Sequence, residues 1–118
     1  MFAQHLKKVV DGVDGGIAAV VMGLDGIPVE SYVRARDKLD VTTVAMEFSF
    51  IIGQIKKAGE ALQIGSCDEI SVKAQGLTLI ARMLTPQYFI AVVIAPEGNF
   101  GKARFLTRMA APQLTAEL

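Results

Sequence analysis

His5 and Cys67, the single histidine and single cysteine, are the side chains best suited to act as a base, a nucleophile or a soft metal ligand. A Ser-His-Asp set needs its base oriented by a third group, and a zinc site needs several converging His or Cys ligands. His5 has no second ligand near it and reads as structural. Cys67 precedes Asp68 and Glu69, whereas a reactive thiolate is favoured by positive neighbours; it reads as a half-buried structural thiol. Gly12, Gly15 and Gly16 precede an apolar run instead of following one, and no GxxxxGK followed by Ser or Thr occurs, so no phosphate loop is expected. No base, nucleophile and orienter can be assembled. The expectation is a chain with no catalytic residues, no metal and no cofactor.

What remains is the chemistry of recognition. Leu24-Asp25-Gly26-Ile27 carries a leucine at a turn, where polar residues dominate. Leu24, Asp25 and Ile27 together set exposed apolar anchors beside a charge, the composition of a small interface hot spot. The plainer alternative is one exposed apolar residue of no consequence. Met46, Phe50 and Gly53, with Ser49 beside them, form a second group, in which Gly53 and Ser49 would let another helix approach closely. Lys102, Arg104 and Arg108 read either as a solvated face well placed in a helix dipole or as a contact for an acidic partner.

The element that positions the second group is the stretch Asp40 to Gly65. Val41, Ala45, Phe48, Ile52, Ile55, Gly59 and Leu62 follow one helical face. Phe48 and Phe50, however, point in nearly opposite directions at about 100° per residue. A helix with two apolar sides has a second surface to bury. We expect it to pack on a sheet inward and on a partner subunit outward, the alternative cover being a second layer of the same chain. Asp40 is its N-cap candidate and Gly65 its left-handed C-terminal residue.

The other elements follow from periodicity and breakers. Phe2, Leu6, Val9 and Val10 define a short helix with Lys7 and Lys8 outward. Ile17 to Met22 is a strand buried on both faces, and the Asp25-Gly26 turn leads into Ile27 to Val33, an edge strand because of Pro28. Arg34 to Asp40 is a charged connection. Glu69 to Ala74, with Ile70, Val72 and Ala74 on one face, turns at Gln75-Gly76 into Leu77 to Leu84. Tyr88 to Ile94 is a second buried strand, and Asn99 caps a last helix through about Ala110, where Pro112 marks its end or a kink. The order α-β-β-α-β-β-β-α gives an α+β fold, an α/β sandwich with five mostly antiparallel strands.

Composition narrows the partners. The 118 residues suit one domain spanning 1–118, and 52% apolar content is high enough to suggest that part of the surface is an interface. Twelve basic against twelve acidic residues argue against a nucleic-acid binder. One cysteine excludes an intrachain disulfide and needs no oxidising compartment. The apolar runs are far shorter than the roughly 20 residues that cross a bilayer, and the start of the chain lacks a secretory pattern. We expect a cytoplasmic protein without membrane insertion.

Over nearly its whole length the chain resembles the Roadblock (dynein light chain) family. The resemblance rests on the short first helix, the apolar strand, the hairpin Gly23-Leu24-Asp25-Gly26-Ile27-Pro28-Val29, the long helix, and the start Asn99-Phe100-Gly101-Lys102 of the last one. Within the family it is similar to the bacterial MglB/MglC-like branch, nearest the MglC type, through Val21 to Gly26 and Gly98 to Lys102. The resemblance implies a homodimer joined through the long helix and the third strand, with Met46, Ser49, Phe50, Gly53, Ile70, Val72 and Ala74 at the contact. It also implies a platform for Ras-like small GTPases or other Roadblock dimers. MglB-type members activate such GTPases, and MglC-type members bind the MglB type and tune cell polarity in gliding motility. Leu24, Asp25 and Ile27 would then face a Roadblock paralogue of MglB type. No arginine finger can be placed, so the expectation is an adaptor, not an enzyme. One alternative is direct small-GTPase binding with activating activity. The other is a small-ligand sensor domain, which requires an internal pocket that the bulky strands count against.

Overall fold

The two unbroken apolar runs become the central strands. The computed structural model describes residues 1–34 and 40–118. Its elements are α1 (Phe2–Asp11), β1 (Gly16–Gly23), β2 (Pro28–Val33), α2 (Val41–Leu62), β3 (Glu69–Lys73), β4 (Thr78–Met83), β5 (Tyr88–Ile94) and α3 (Phe100–Ala116). Most of the charged connection read between Arg34 and Asp40 lies outside the described residues. The strands form one sheet of order β2-β1-β5-β4-β3, antiparallel at every pairing. β1 and β5 are paired on both sides, with Val20 opposite Ala91 and Val21 opposite Ile90. Pro28, unable to donate to a ladder, opens the edge strand β2, as its sequence required.

Both faces of the sheet are covered, which is why β1 and β5 are apolar at every position instead of every second one. On one face Leu6 and Val10 of α1 and Ala103 and Leu114 of α3 pack on Ala19, Val21, Ile80, Ile90 and Val92. On the other, Val41, Ala45 and Ile52 of α2 pack on Ala18, Val20, Leu79, Ala91 and Val93. Polar ties join the layers at their rims. The Tyr32 hydroxyl donates to Asp11 Oδ1 at 2.9 Å, and Arg82 and Arg104 both reach the Glu69 carboxylate.

Local chemistry sets the boundaries. Asp40 Oδ1 accepts the N–H groups of Thr42 and Thr43 at 3.1 and 3.2 Å, and Thr43 Oγ1 donates to Oδ2 at 2.7 Å. Asn99 Oδ1 does the same for Lys102 N–H at 3.1 Å. Gly26 turns the β1–β2 hairpin at φ +85°, a conformation other residues adopt at a cost.

Three details differ from the sequence reading. The last helix does not stop near Ala110 but runs to Ala116. Leu114 is fully buried, which holds the extra turn down, and Pro112 deprives only the solvent-exposed Arg108 of a donor to its carbonyl. The left-handed C-cap of α2 is Gln63 at φ 58°, although Gly65 two residues on also has positive φ. Leu62, assigned to the inward face, is 68% exposed. A helix of 22 residues spans about 33 Å at 1.5 Å per residue, more than the roughly 27 Å of the eight-residue β1 at about 3.4 Å per residue.

Candidate functional site

Among the described residues nothing covers the outward side of α2. Met46 is 49% and Phe50 70% exposed, and Ile51 beside them is also exposed. At Gly53 an added Cβ would meet no atom of the described residues within 4 Å, so the backbone itself is open to a close neighbour. Ser49 does not belong with them. It is 5% exposed, and its hydroxyl donates to the Met46 carbonyl at 2.6 Å. Its position between the two sides of the helix turns it under the β1–β2 hairpin, leaving Met46, Phe50 and Gly53 as the outward set.

The hairpin tip and this stripe are neighbours. A Cβ placed on Gly26 would lie 3.4 Å from Met46 Cγ and 3.7 Å from Ser49 Oγ, so the turn rests on the flank of α2. Leu24 is not the exposed residue the sequence suggested. It is half-buried, packs against the α2-side core, and donates its N–H to the Gln87 carbonyl at 2.9 Å. That packing explains a leucine at a turn. Asp25 is exposed and its Oδ1 accepts the Ile27 N–H at 3.0 Å, fixing the turn from within. Ile27 stands out from it at 65% exposure.

The third strand supplies a free edge. β3 pairs with β4 on one side, setting Ile70 opposite Ala81 and Val72 opposite Leu79, and is the last strand of the sheet. Ile70 and Val72 are therefore on the α2 side and half-buried, while Ala74, just beyond the strand, is exposed. Between the hairpin and the end of α2 lies a surface cleft of about 260 Å³, lined by Leu24, Ile52, Lys56, Cys67, Met83 and Pro86 among others. Lys56 Nζ donates to the Pro86 carbonyl across it at 3.4 Å. The cleft can accept an apolar side chain from a partner next to a cation.

The residues dismissed as catalytic have structural partners. His5 Nε2 lies 3.5 Å from the Glu117 carboxylate, which also binds the Met1 amino group. Cys67 is half-buried with Sγ 3.7 Å from the Glu69 carbonyl. Among the described residues no three His, Cys, Asp or Glu side chains converge as a metal site, and no helix is long and apolar enough to cross a membrane. Sequence reasoning missed Ile51, and also the exposed pair Phe105 and Met109 on α3. The i, i+4 spacing of that pair was the available signal.

No protein-family model matches the chain, and no curated protein does either. Solved structures do. MglC from Myxococcus xanthus is 35% identical, with 98% of this chain and 97% of that chain covered at a TM-score of 0.71. A Roadblock/LC7 domain from Streptomyces avermitilis is 16% identical over 97% of this chain and 94% of its own, with a TM-score of 0.84. The gliding protein MglB from Thermus thermophilus is 13% identical over 96% of this chain and 84% of its own, at 0.85. At those two lower identities the likeness is one of fold.

Proposed function

Given that the chain belongs to the Roadblock family, on the MglC-like side of it, we propose that it works as a homodimeric adaptor in a Ras-like small-GTPase polarity circuit. It binds a Roadblock paralogue of MglB type and performs no catalysis itself. The observation that carries this reading is the outward stripe of α2. Two exposed apolar residues and an open glycine line it, at the surface of a chain whose edge strand β3 is unpaired on its outer side among the described residues. A second copy related by a two-fold axis meets both features with the same surface, as closed dimers require. Phe50 and Met46 are its anchors, and Gly53 sets the helix separation.

The paralogue is met at the hairpin tip. Ile27 gives the exposed apolar anchor, Asp25 the charge, and Leu24 holds the tip against the core. Because Met46 lies beside the turn, dimer formation and paralogue binding adjoin, and the dimer presents two such tips.

The test is light-scattering mass after size exclusion, alone and with a Roadblock paralogue and a Ras-like GTPase from the same genome. The expected result is a dimer that grows with the paralogue, and Phe50→Asp should reduce it to a monomer. Asp25→Asn with Ile27→Ala leaves the half-buried Leu24 in place and should abolish growth while keeping the dimer. A wild-type monomer would overturn the dimer. Unchanged growth by the double variant would overturn the tip assignment. Growth with the GTPase alone would move the protein to direct GTPase binding.

A further inference from the structure

The face opposite α2 carries a second apolar stripe that none of the described residues covers, with different electrostatics. Phe105 and Met109, one turn apart on α3, are 57% and 60% exposed. Beside them a cleft of about 290 Å³ runs between α1 and α3, with Val9, Leu106 and Ala110 lining it and Lys8 at its wall. Met109 adds an adaptable thioether that re-packs around different side chains.

The charge on the two helices that frame this groove is one-sided. α1 and α3 hold Lys7, Lys8, Lys102, Arg104 and Arg108 against Asp11 alone, in a chain of net charge zero. Asp11 is occupied by Lys7, Arg34 and the Tyr32 hydroxyl, and Arg104 by Glu69. Glu117, just past α3, is held by the Met1 amino group and His5. Lys8, Lys102 and Arg108 have no ion pair among the described residues. Lys102 and Arg108 lie three residues before and after Phe105, on adjacent turns of α3.

We propose that the groove between α1 and α3 is a docking site for an acidic amphipathic helix of a partner protein. The helix lays its apolar ridge between Val9 and the Phe105–Met109 stripe, and its carboxylates meet Lys8, Lys102 and Arg108. Charge complementarity selects the acidic partner and speeds its encounter, while the apolar cleft supplies the anchor. A concave cleft receives a ridge of side chains, whereas a bilayer surface is flat, so the shape favours a helix over an anionic membrane. The site lies across the sheet from α2 and does not depend on the dimer or on the hairpin tip.

The probe is a fluorescent designed peptide with leucines at helical i, i+3, i+4, i+7 spacing and glutamates on the flanks. Its controls are a scrambled peptide of the same composition and a lysine version. Binding is read by anisotropy, and its location by amide NMR shifts of the full chain. The acidic helix should bind at least tenfold more tightly than either control, move resonances of α1 and α3, and weaken as salt rises. Phe105→Ala with Met109→Ala should weaken it tenfold or more. Lys8→Glu, Lys102→Glu and Arg108→Glu together should reverse the preference toward the lysine peptide, a gain that loss of fold would not produce. Equal binding of the scrambled peptide, or shifts confined to α2, would overturn the proposal. So would co-sedimentation with phosphatidylglycerol vesicles in the absence of peptide binding, which would assign the face to a membrane.

Discussion

Asp40 and Asn99 do the same task at the heads of α2 and α3, each accepting backbone N–H groups that the helix cannot satisfy itself. Replacing Asn99 with Ala should cost about 1 kcal/mol, read as a lower urea midpoint with unchanged slope. Asp40 adds a pH dependence. The hydroxyl and N–H of Thr43 hold its carboxyl below the ordinary carboxylate value, and the Tyr32 hydroxyl does the same for Asp11. A carboxyl depressed in the folded state binds its proton more readily when unfolded. Its contribution is therefore present above roughly pH 4 and lost as pH falls through the lower folded value. Urea midpoints measured from pH 5 to pH 2 should fall less steeply for Asp40→Asn than for the parent, and parallel curves would remove Asp40 as a source. Both caps were legible in the sequence because capping is a contact over two or three residues. Leu24 and Ser49 were misread for the opposite reason: what buries them is the packing of a hairpin turn on a helix, a contact distant in sequence.

At the level of elements, periodicity revealed the two-sided α2 and the doubly covered β1 and β5, since each leaves a repeat in the chain itself. It did not reveal where elements end. Gly65 has the residue type of a left-handed cap, yet Gln63 adopts that conformation, with its N–H on the Glu60 carbonyl and the Ile64 N–H on that of Gly59. A non-glycine residue there is strained by about 1 kcal/mol, so Gln63→Gly should raise stability by roughly that amount in urea denaturation. An unchanged or lower midpoint would mean the Gln63 side chain compensates. Pro112 misled in the same way. A proline rule ends α3 near Ala110, but burial of Leu114 outweighs one lost hydrogen bond on a solvent-exposed turn. Leu114→Ala should therefore cost about 2–5 kcal/mol, the penalty of a core residue, where a frayed tail would show almost none.

For the molecule as a whole, the sheet separates two uncovered surfaces of different character. The α2 side, apolar around Met46 and Phe50, suits a second copy; the α1 and α3 side is apolar with a basic surround. If the α2 stripe is buried by a second copy, folding and association are linked, and stability depends on protein concentration. Unfolding a dimer into two chains of 118 residues has an entropy near 0.5 kcal/mol/K, from about 2.1 cal/mol/K per residue. A tenfold rise in concentration is worth about 1.4 kcal/mol, so Tm should climb by roughly 3 °C per decade. Calorimetry from micromolar to millimolar concentration should show this slope for the parent chain. Phe50→Asp should show a lower Tm and no slope, because its loss is one of association and not of core packing. That variant should still bind the acidic helical peptide with unchanged affinity, since the groove it occupies lies beyond a sheet that α2 does not cross. A parent Tm independent of concentration would mean that the outer side of α2 is open in solution, and the dimer would have to be abandoned while the α1–α3 site stood.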